Sequence, residues 1–262
     1  MFHLDEIVKN LEAKPEVDAV FLTGSYGART SNSHSDLDLV IVLNKNSDGL
    51  KSVYTWIDDR FADIFFFDWT DLDRLARTKD YPANAWDTVL VSWLQKASVF
   101  FDKSKKLSKL IDKVKSVNGF SASVKEQRDF WQKINYNFVA NERYFKSDNP
   151  LCHEALEIRL LYSVSELICG YFILRNIPWR GEKEAITYLK KSKPDIYLLL
   201  QKYWHAKNLK ERFRTYVKLT SNVFTNDYKR WKGGDVMVVL KNQELPANDK
   251  NLIKIWNDLL IR

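Results

Sequence analysis

Two aspartates, Asp36 and Asp38, stand two positions apart at the head of the apolar run Leu39-Val40-Ile41-Val42-Leu43, shortly after the turn Gly24-Ser25-Tyr26-Gly27-Ala28-Arg29. The run reads as a strand, and in a strand residues i and i+2 share a face. The two carboxylates therefore lie side by side while Leu37 and Leu39 point the other way. Carboxylates crowded at the mouth of a buried strand repel each other and are costly to desolvate unless a cation joins them. Hard oxygen ligands of this kind suit Mg2+, which takes one or two carboxylates and completes its shell with water and substrate phosphates. Upstream, Gly24 lets the backbone approach a phosphate oxygen, and Ser25 adds a hydroxyl and an amide donor near a helix N-terminus. A phosphate-cradling turn beside a Mg2+ carboxylate pair is the minimum equipment for phosphoryl or nucleotidyl transfer.

Ala19-Val20-Phe21-Leu22 reads as the strand before the turn, and Asp63 opens a further apolar run, Asp63-Ile64-Phe65-Phe66-Phe67, after a helix-like stretch over 51–60. This order of strand, Gly-Ser, short helix, hydrophobic-Asp-x-Asp-hydrophobic and a later third acid resembles the DNA polymerase beta-type nucleotidyltransferase superfamily, over about residues 17–67. The twelve residues from Gly24 to Asp36 are similar in spacing to the antibiotic nucleotidyltransferases that modify aminoglycosides or lincosamides. The chain departs from many members at Arg29-Thr30, where they carry another glycine. The segment Asn176-Ile177-Pro178-Trp179-Arg180-Gly181-Glu182-Lys183 extends the likeness, since several antibiotic nucleotidyltransferases end a helix in Asn and follow it with an aromatic, a Gly and a Lys.

The resemblance implies two Mg2+ ions held by Asp36, Asp38 and Asp63, with an NTP as donor and ATP as the default. Two such ions stabilise both the attacking and the leaving oxygens of an in-line displacement. Asp63 would sit nearest the incoming hydroxyl; Asp58, Asp59 and Asp68 compete with it for the third position. Gly24 and Ser25 would hold phosphate, and Arg29 and Lys183 would neutralise triphosphate charge. For a separate acceptor base the C-terminal half offers Glu154, Glu157 and Glu166. Glu157, on the polar flank of an apolar helix, is the first candidate. His34 is read as a loop residue, and the histidines are too dispersed for a zinc site.

Charge divides the chain. Residues 1–105 carry 12 Lys and Arg against 17 Asp and Glu, a balance of −5, so the formal +7 of the whole chain leaves +12 for the remainder. Such a split suggests two modules with different partners. Only 8 Gly and 6 Pro argue against long linkers and for a helix-rich architecture. Cys152 and Cys169 are too few for a disulfide framework. The N-terminus reads as an amphipathic helix, not a signal peptide, and no apolar run reaches membrane-spanning length, so a cytoplasmic location is expected.

The expected fold is α+β: a nucleotidyltransferase domain at 1–105, with a mixed β-sheet flanked by helices, and an all-helical substrate-binding domain at 106–262, the active site lying in the cleft between them. Helical spacing is clearest over Phe130–Phe145 and Leu151–Leu174; a strand is expected over Ala97–Asp102 and a terminal helix over Asn251–Leu260. The expected activity is Mg2+-dependent transfer of a nucleoside monophosphate to a hydroxyl of a small molecule such as an aminoglycoside-like antibiotic, releasing pyrophosphate. Two other readings stay open. One moves the acceptor to RNA, such as a tRNA end, or to a protein side chain, because the basic half interleaves aromatics and cations at Tyr203-Trp204, Arg212-Phe213-Arg214 and Tyr228–Lys232. The other is a non-catalytic nucleotide- or RNA-binding relative, against which the intact acidic set speaks. An aromatic-rich second domain could also bury a dimer interface.

Overall fold

The computed structural model describes residues 2–28, 32, 34–77, 81–82, 86–115 and 120–235, with 254, 256 and 258. The chain divides into two compact units, Met1–Tyr81 with Ala85–Gly119, and Pro82–Asn84 with Phe120–Arg262.

The first unit is built on a five-stranded mixed sheet in the order β3-β4-β2-β1-β6. Its strands are β1 (Val17–Leu22), β2 (Leu37–Leu43), β3 (Ser52–Ile57), β4 (Arg60–Asp68) and β6 (Ser98–Asp102); the two-residue strands β5 (Tyr81–Pro82) and β7 (Phe120–Ser121) stand outside it. β2 and β4 run parallel, and the other neighbours are antiparallel. All of β1 is buried, and β2 nearly so, as expected of central strands covered on both faces. On one face Val20, Leu22, Leu39, Ile41, Ile57 and Ile64 form a core, against which Leu4, Ile7 and Leu11 of α1 (Leu4–Glu12) pack. Among the described residues the unit holds four further helices: the one-turn α2 (Gly24–Gly27), then α3 (Trp69–Arg77), α4 (Trp86–Gln95) and α5 (Lys106–Lys115).

One expectation is corrected. The stretch 51–60, read from sequence as helix-like, is strand β3 and the turn that joins it to β4. Val53, Tyr54, Thr55, Trp56 and Ile57 are β-branched or aromatic and fit a pleated surface. Asp58 and Asp59 both take positive φ, 49° and 61°, which is the geometry of a two-residue hairpin turn whose twist matches the strands.

Beyond β7 the described residues of the second unit form α6 (Val124–Phe145), α7 (Pro150–Ile173), α8 (Glu182–Ser192), α9 (Pro194–Trp204) and α10 (Leu209–Val223). Ser123 and Glu126 close a capping box at the start of α6, while the Asn149 side chain and Pro150 open α7. Leu156, Leu160, Leu167 and Tyr171 of α7 meet Ile134 and Phe138 of α6 and Phe213, Tyr216 and Leu219 of α10 in one core. Arg175, just past α7, stacks on the Tyr171 ring at 4.1 Å and donates to the carbonyls of Asn222 (2.9 Å) and Val223 (2.7 Å) at the end of α10. Burial pulls its guanidinium below the usual range. The fold is thus α+β, a mixed sheet with helices followed by a helical unit. The terminal helix expected over 251–260 falls almost wholly outside the described residues. Among the described residues no helix is long and apolar enough to cross a membrane.

Candidate active site

The site forms where β1 ends and β2 and β4 begin. Parallel pairing sets Asp38 directly beside Asp63, with Leu37 beside Ala62 and Leu39 beside Ile64. The period of two sends Leu37, Leu39, Ala62 and Ile64 into the core, which turns Asp38 and Asp63 out on the opposite face. Asp36, two residues before Asp38, reaches the same place from an exposed position. One carboxylate oxygen from each of the three acids lies within 4.8 Å of the others.

The turn after β1 is shaped to these acids. Thr23 is buried; its N–H donates to the Asp38 carbonyl at 3.0 Å and its hydroxyl to the Trp93 carbonyl at 3.2 Å. Gly24 follows with φ +60°, and a Cβ there would meet Asp38 Oδ2 at 1.9 Å. No larger residue fits without driving that carboxylate away. Gly27 closes the turn against α4, where a Cβ would stand 2.3 Å from the Lys96 carbonyl oxygen. Ser25, half-buried, sits between them on α2.

Burial and like charge act together on these acids. Asp63 Oδ1 is buried and meets no hydrogen-bond donor among the described residues. Burial first, and the Asp36 carboxylate second, hold the Asp63 carboxyl above the usual carboxylate range. A buried acceptor without a donor and carboxylates gathered within ligand distance are what an oxygen-liganded divalent cation would relieve. The donor set therefore fits a divalent metal, with Asp36, Asp38 and Asp63 as its ligands.

Asp36, Asp38, Asp63, Gly24 and Ser25 are thus brought together. Arg29 lies outside the described residues. Glu157 and Lys183 belong to the second unit. Glu157, on α7, is ion-paired with Arg212 of α10. Lys183 is exposed in the first turn of α8. Of the other acids weighed as bases, Glu166 pairs with Lys133 at 2.8 Å and accepts from Asn137 at 2.6 Å.

The misread hairpin hid several residues near the site. Tyr54 of β3 lies directly across from Asp63, and Trp56 across from Phe61. Arg60 donates to the Asn32 carbonyl at 3.1 Å and sits over the Tyr26 ring at 5.4 Å, tying β4 to the helix of the glycine turn. Alternating aromatics ahead of Asp58-Asp59 were the signal in the sequence.

The profile of the nucleotidyltransferase domain family matches residues 4–146, more than half of the chain. No curated protein matches it. Among solved structures it is similar to a nucleotidyltransferase-like protein from Exiguobacterium sibiricum 255-15, with a TM-score of 0.42 and 13% identity, over 84% of this chain and 72% of that one. The family match spans the strands, the glycine turn and all three aspartates, and the chain belongs to the nucleotidyltransferase domain family as a nucleotidyltransferase.

Proposed function

We infer that the protein transfers a nucleoside monophosphate from a Mg2+-bound NTP, ATP by default, to a hydroxyl of a small-molecule acceptor. The observation that carries this reading is the Asp36, Asp38 and Asp63 cluster, with its buried and donor-free Asp63 Oδ1, beside a glycine turn that admits no side chain.

Asp36, Asp38 and Asp63 would hold Mg2+, which when bound neutralises triphosphate charge and polarises the α-phosphate. The chain's own residues do the rest. The backbone at Gly24 and Ser25 lets phosphate oxygens approach closely. Asp63 Oδ1, open for a proton, accepts it from the acceptor hydroxyl as the oxygen attacks the α-phosphorus. The new P–O bond forms as the bond from the α-phosphorus to the bridging oxygen breaks, and the electron pair leaves with pyrophosphate. The rigidity of two hydrogen-bonded strands keeps Asp38 and Asp63 aligned for this step.

The position of the second unit's aromatics supports a small acceptor over RNA. Of the aromatics that interleave with cations in the sequence, Tyr203, Phe213 and Tyr216 are buried in the helical core and Tyr228 and Trp231 pack against it, while Trp204 is 50% exposed. The buried rings are not free to stack on bases, whereas nucleic-acid binders expose theirs.

Calorimetric titration of each NTP with and without Mg2+, against the wild type and Asp38→Ala, tests the donor site. Mg2+-dependent binding of one NTP that is lost in the variant is expected. Binding that survives in Asp38→Ala, or that ignores Mg2+, overturns the assignment. Transfer of an α-phosphate label to acceptors then reads the chemistry.

A further inference from the structure

Helix α7 presents apolar residues on both of its long faces. The inner face, with Leu156, Leu160 and Leu167, fills the helical core. On the outer face, Pro150 aside, the exposed residues are Leu151, Glu154, Ile158, Leu161, Tyr162 and Ser165, and only one of them carries charge. Leu151 and Ile158 are each 67% exposed and Leu161 70%. The neighbouring α10 shows what water ordinarily selects: its exposed residues are Lys210, Glu211, Arg214, Lys218 and Ser221. A helix that is apolar all round is normally covered all round, and contiguous exposed apolar surface marks a place where something binds.

The outer row is symmetric in its spacing. Counted from Ile158, Leu151 and Ser165 stand seven residues away on either side, and Glu154 and Tyr162 four. Leu161 stands three residues after, and the half-buried Ala155 three before. Intervals of three, four and seven keep all of them on one stripe of the helix. An isologous contact must match a surface to itself, and a row symmetric about one residue is suited to that, whereas an unrelated partner imposes no such symmetry. Turned end for end about Ile158, a second copy lays Leu161 on the small Ala155, Leu151 on Ser165 and Glu154 on Tyr162.

Charge favours the same arrangement. Glu154 is exposed and has no partner among the described residues. Arg159 donates to the amide oxygens of Asn141 at 2.7 Å and Asn137 at 3.1 Å and lies over the Tyr162 ring at 5.5 Å, and among the described residues no carboxylate pairs with it. The two-fold contact carries the Glu154 carboxylate of each copy to the Tyr162 hydroxyl and the Arg159 guanidinium of the other. An acid and a cation that lack opposite charges in one copy thus find them in two.

We propose that this row is the interface of a homodimer, in which α7 lies antiparallel on α7 of a second copy with Ile158 on the two-fold axis. The proposal stands on the helical unit alone and is independent of the nucleotidyl-transfer reading.

Sedimentation equilibrium of the full chain tests it, on the wild type, Ile158→Glu, Ile158→Lys, an equimolar mixture of those two, and Leu198→Glu on the exposed face of α9. The wild type and Leu198→Glu should be dimers. A residue on the axis meets itself, so each charged Ile158 variant should dimerise at least about 100-fold more weakly, by repulsion of like charges. The mixture should dimerise again, because opposite charges then meet, and that recovery shows that both variants are folded. The proposal is overturned if the wild type is a monomer at about 100 μM, a concentration at which a standard-sized interface is occupied. It is equally overturned if either charged Ile158 variant stays dimeric, if their mixture stays monomeric, or if Leu198→Glu dissociates the dimer. Flotation of the wild type, but not of Ile158→Glu, with phosphatidylcholine vesicles would make the row a membrane contact and overturn it as well.

Discussion

At the end of the sheet where β1 begins, Asp18 is 3% exposed, and its carboxylate accepts from Trp69 Nε1 at 2.9 Å, Ser104 N at 3.1 Å and Ser104 Oγ at 2.5 Å. Its neighbour Asp102 accepts from the Ser108 N–H at 2.8 Å and hydroxyl at 2.7 Å, in the first turn of α5. At the opposite end, where β2 and β4 begin, Asp63 Oδ1 is also buried but meets no donor among the described residues, and two more carboxylates crowd it. The same residue type in the same sheet does two jobs. Where donors surround the carboxylate it ties loops and helices to the strands. Where donors are absent among the described residues, the lone pair of Asp63 Oδ1 stays unsatisfied by the protein. The distinction lies in the company each acid keeps, since a buried polar group costs free energy unless something satisfies it.

Exchanging the roles breaks the comparison most severely at the donor-free end. Asp63→Ala should lower turnover at least about 1,000-fold, about 4 kcal/mol of transition-state stabilisation, in a steady-state assay of pyrophosphate release. Its thermal midpoint without metal should hold or rise, because a repulsive, poorly solvated charge has gone. A fall in midpoint of several degrees would show that Asp63 is structural, as Asp18 is. Asp18→Ala should do the reverse. Leaving Trp69 Nε1 and the Ser104 donors without a partner should cost about 2–4 kcal/mol in urea unfolding, while the protein that remains folded turns over normally. Gly24→Ala joins the two effects. A methyl group 1.9 Å from Asp38 Oδ2, on a backbone at φ +60°, should cost about 1–2 kcal/mol of stability and about 100-fold in turnover. Metal titration reads the carboxylate cluster most directly. Mg2+ at about 100 times its Kd should stabilise the wild type by about 2.7 kcal/mol and leave Asp38→Ala unmoved in a thermal scan.

What could be read in the sequence follows from the range of the interaction. The placing of Asp36 and Asp38 together needs only the period of a strand, and the apolar face of α7 only the period of a helix; both are local, and the structure keeps both in outline, although Asp36 stands just before β2 and Leu161, which helical spacing puts on that face, is exposed. The third acid came from position at the head of an apolar run. Its place beside Asp38 depends on β2 and β4 pairing in parallel, a contact that no local pattern encodes. The hairpin over 52–68 was missed although its signal was local. Val53 to Ile57 favour a strand and Asp58-Asp59 can take positive φ, but Asp-Asp is a weaker turn marker than Asp-Gly. The partners that make Asp18 structural come from positions 69 and 104, far along the chain. Nothing near residue 18 announces them. Glu157 shows the same limit from the other side: its place on α7 was legible, its pairing with Arg212 was not.

The contact between Gly24 and Asp38 also restricts how this chain can change over generations. With 1.9 Å between a would-be Cβ and the carboxylate oxygen, a side chain at 24 is tolerable only once the residue at 38 has shortened or swung aside, and either change breaks up the cluster of three carboxylates. The two positions form a closed door in sequence space. Drift at residue 24 first passes through a protein in which residue 38 has been displaced, so the two positions can change only together.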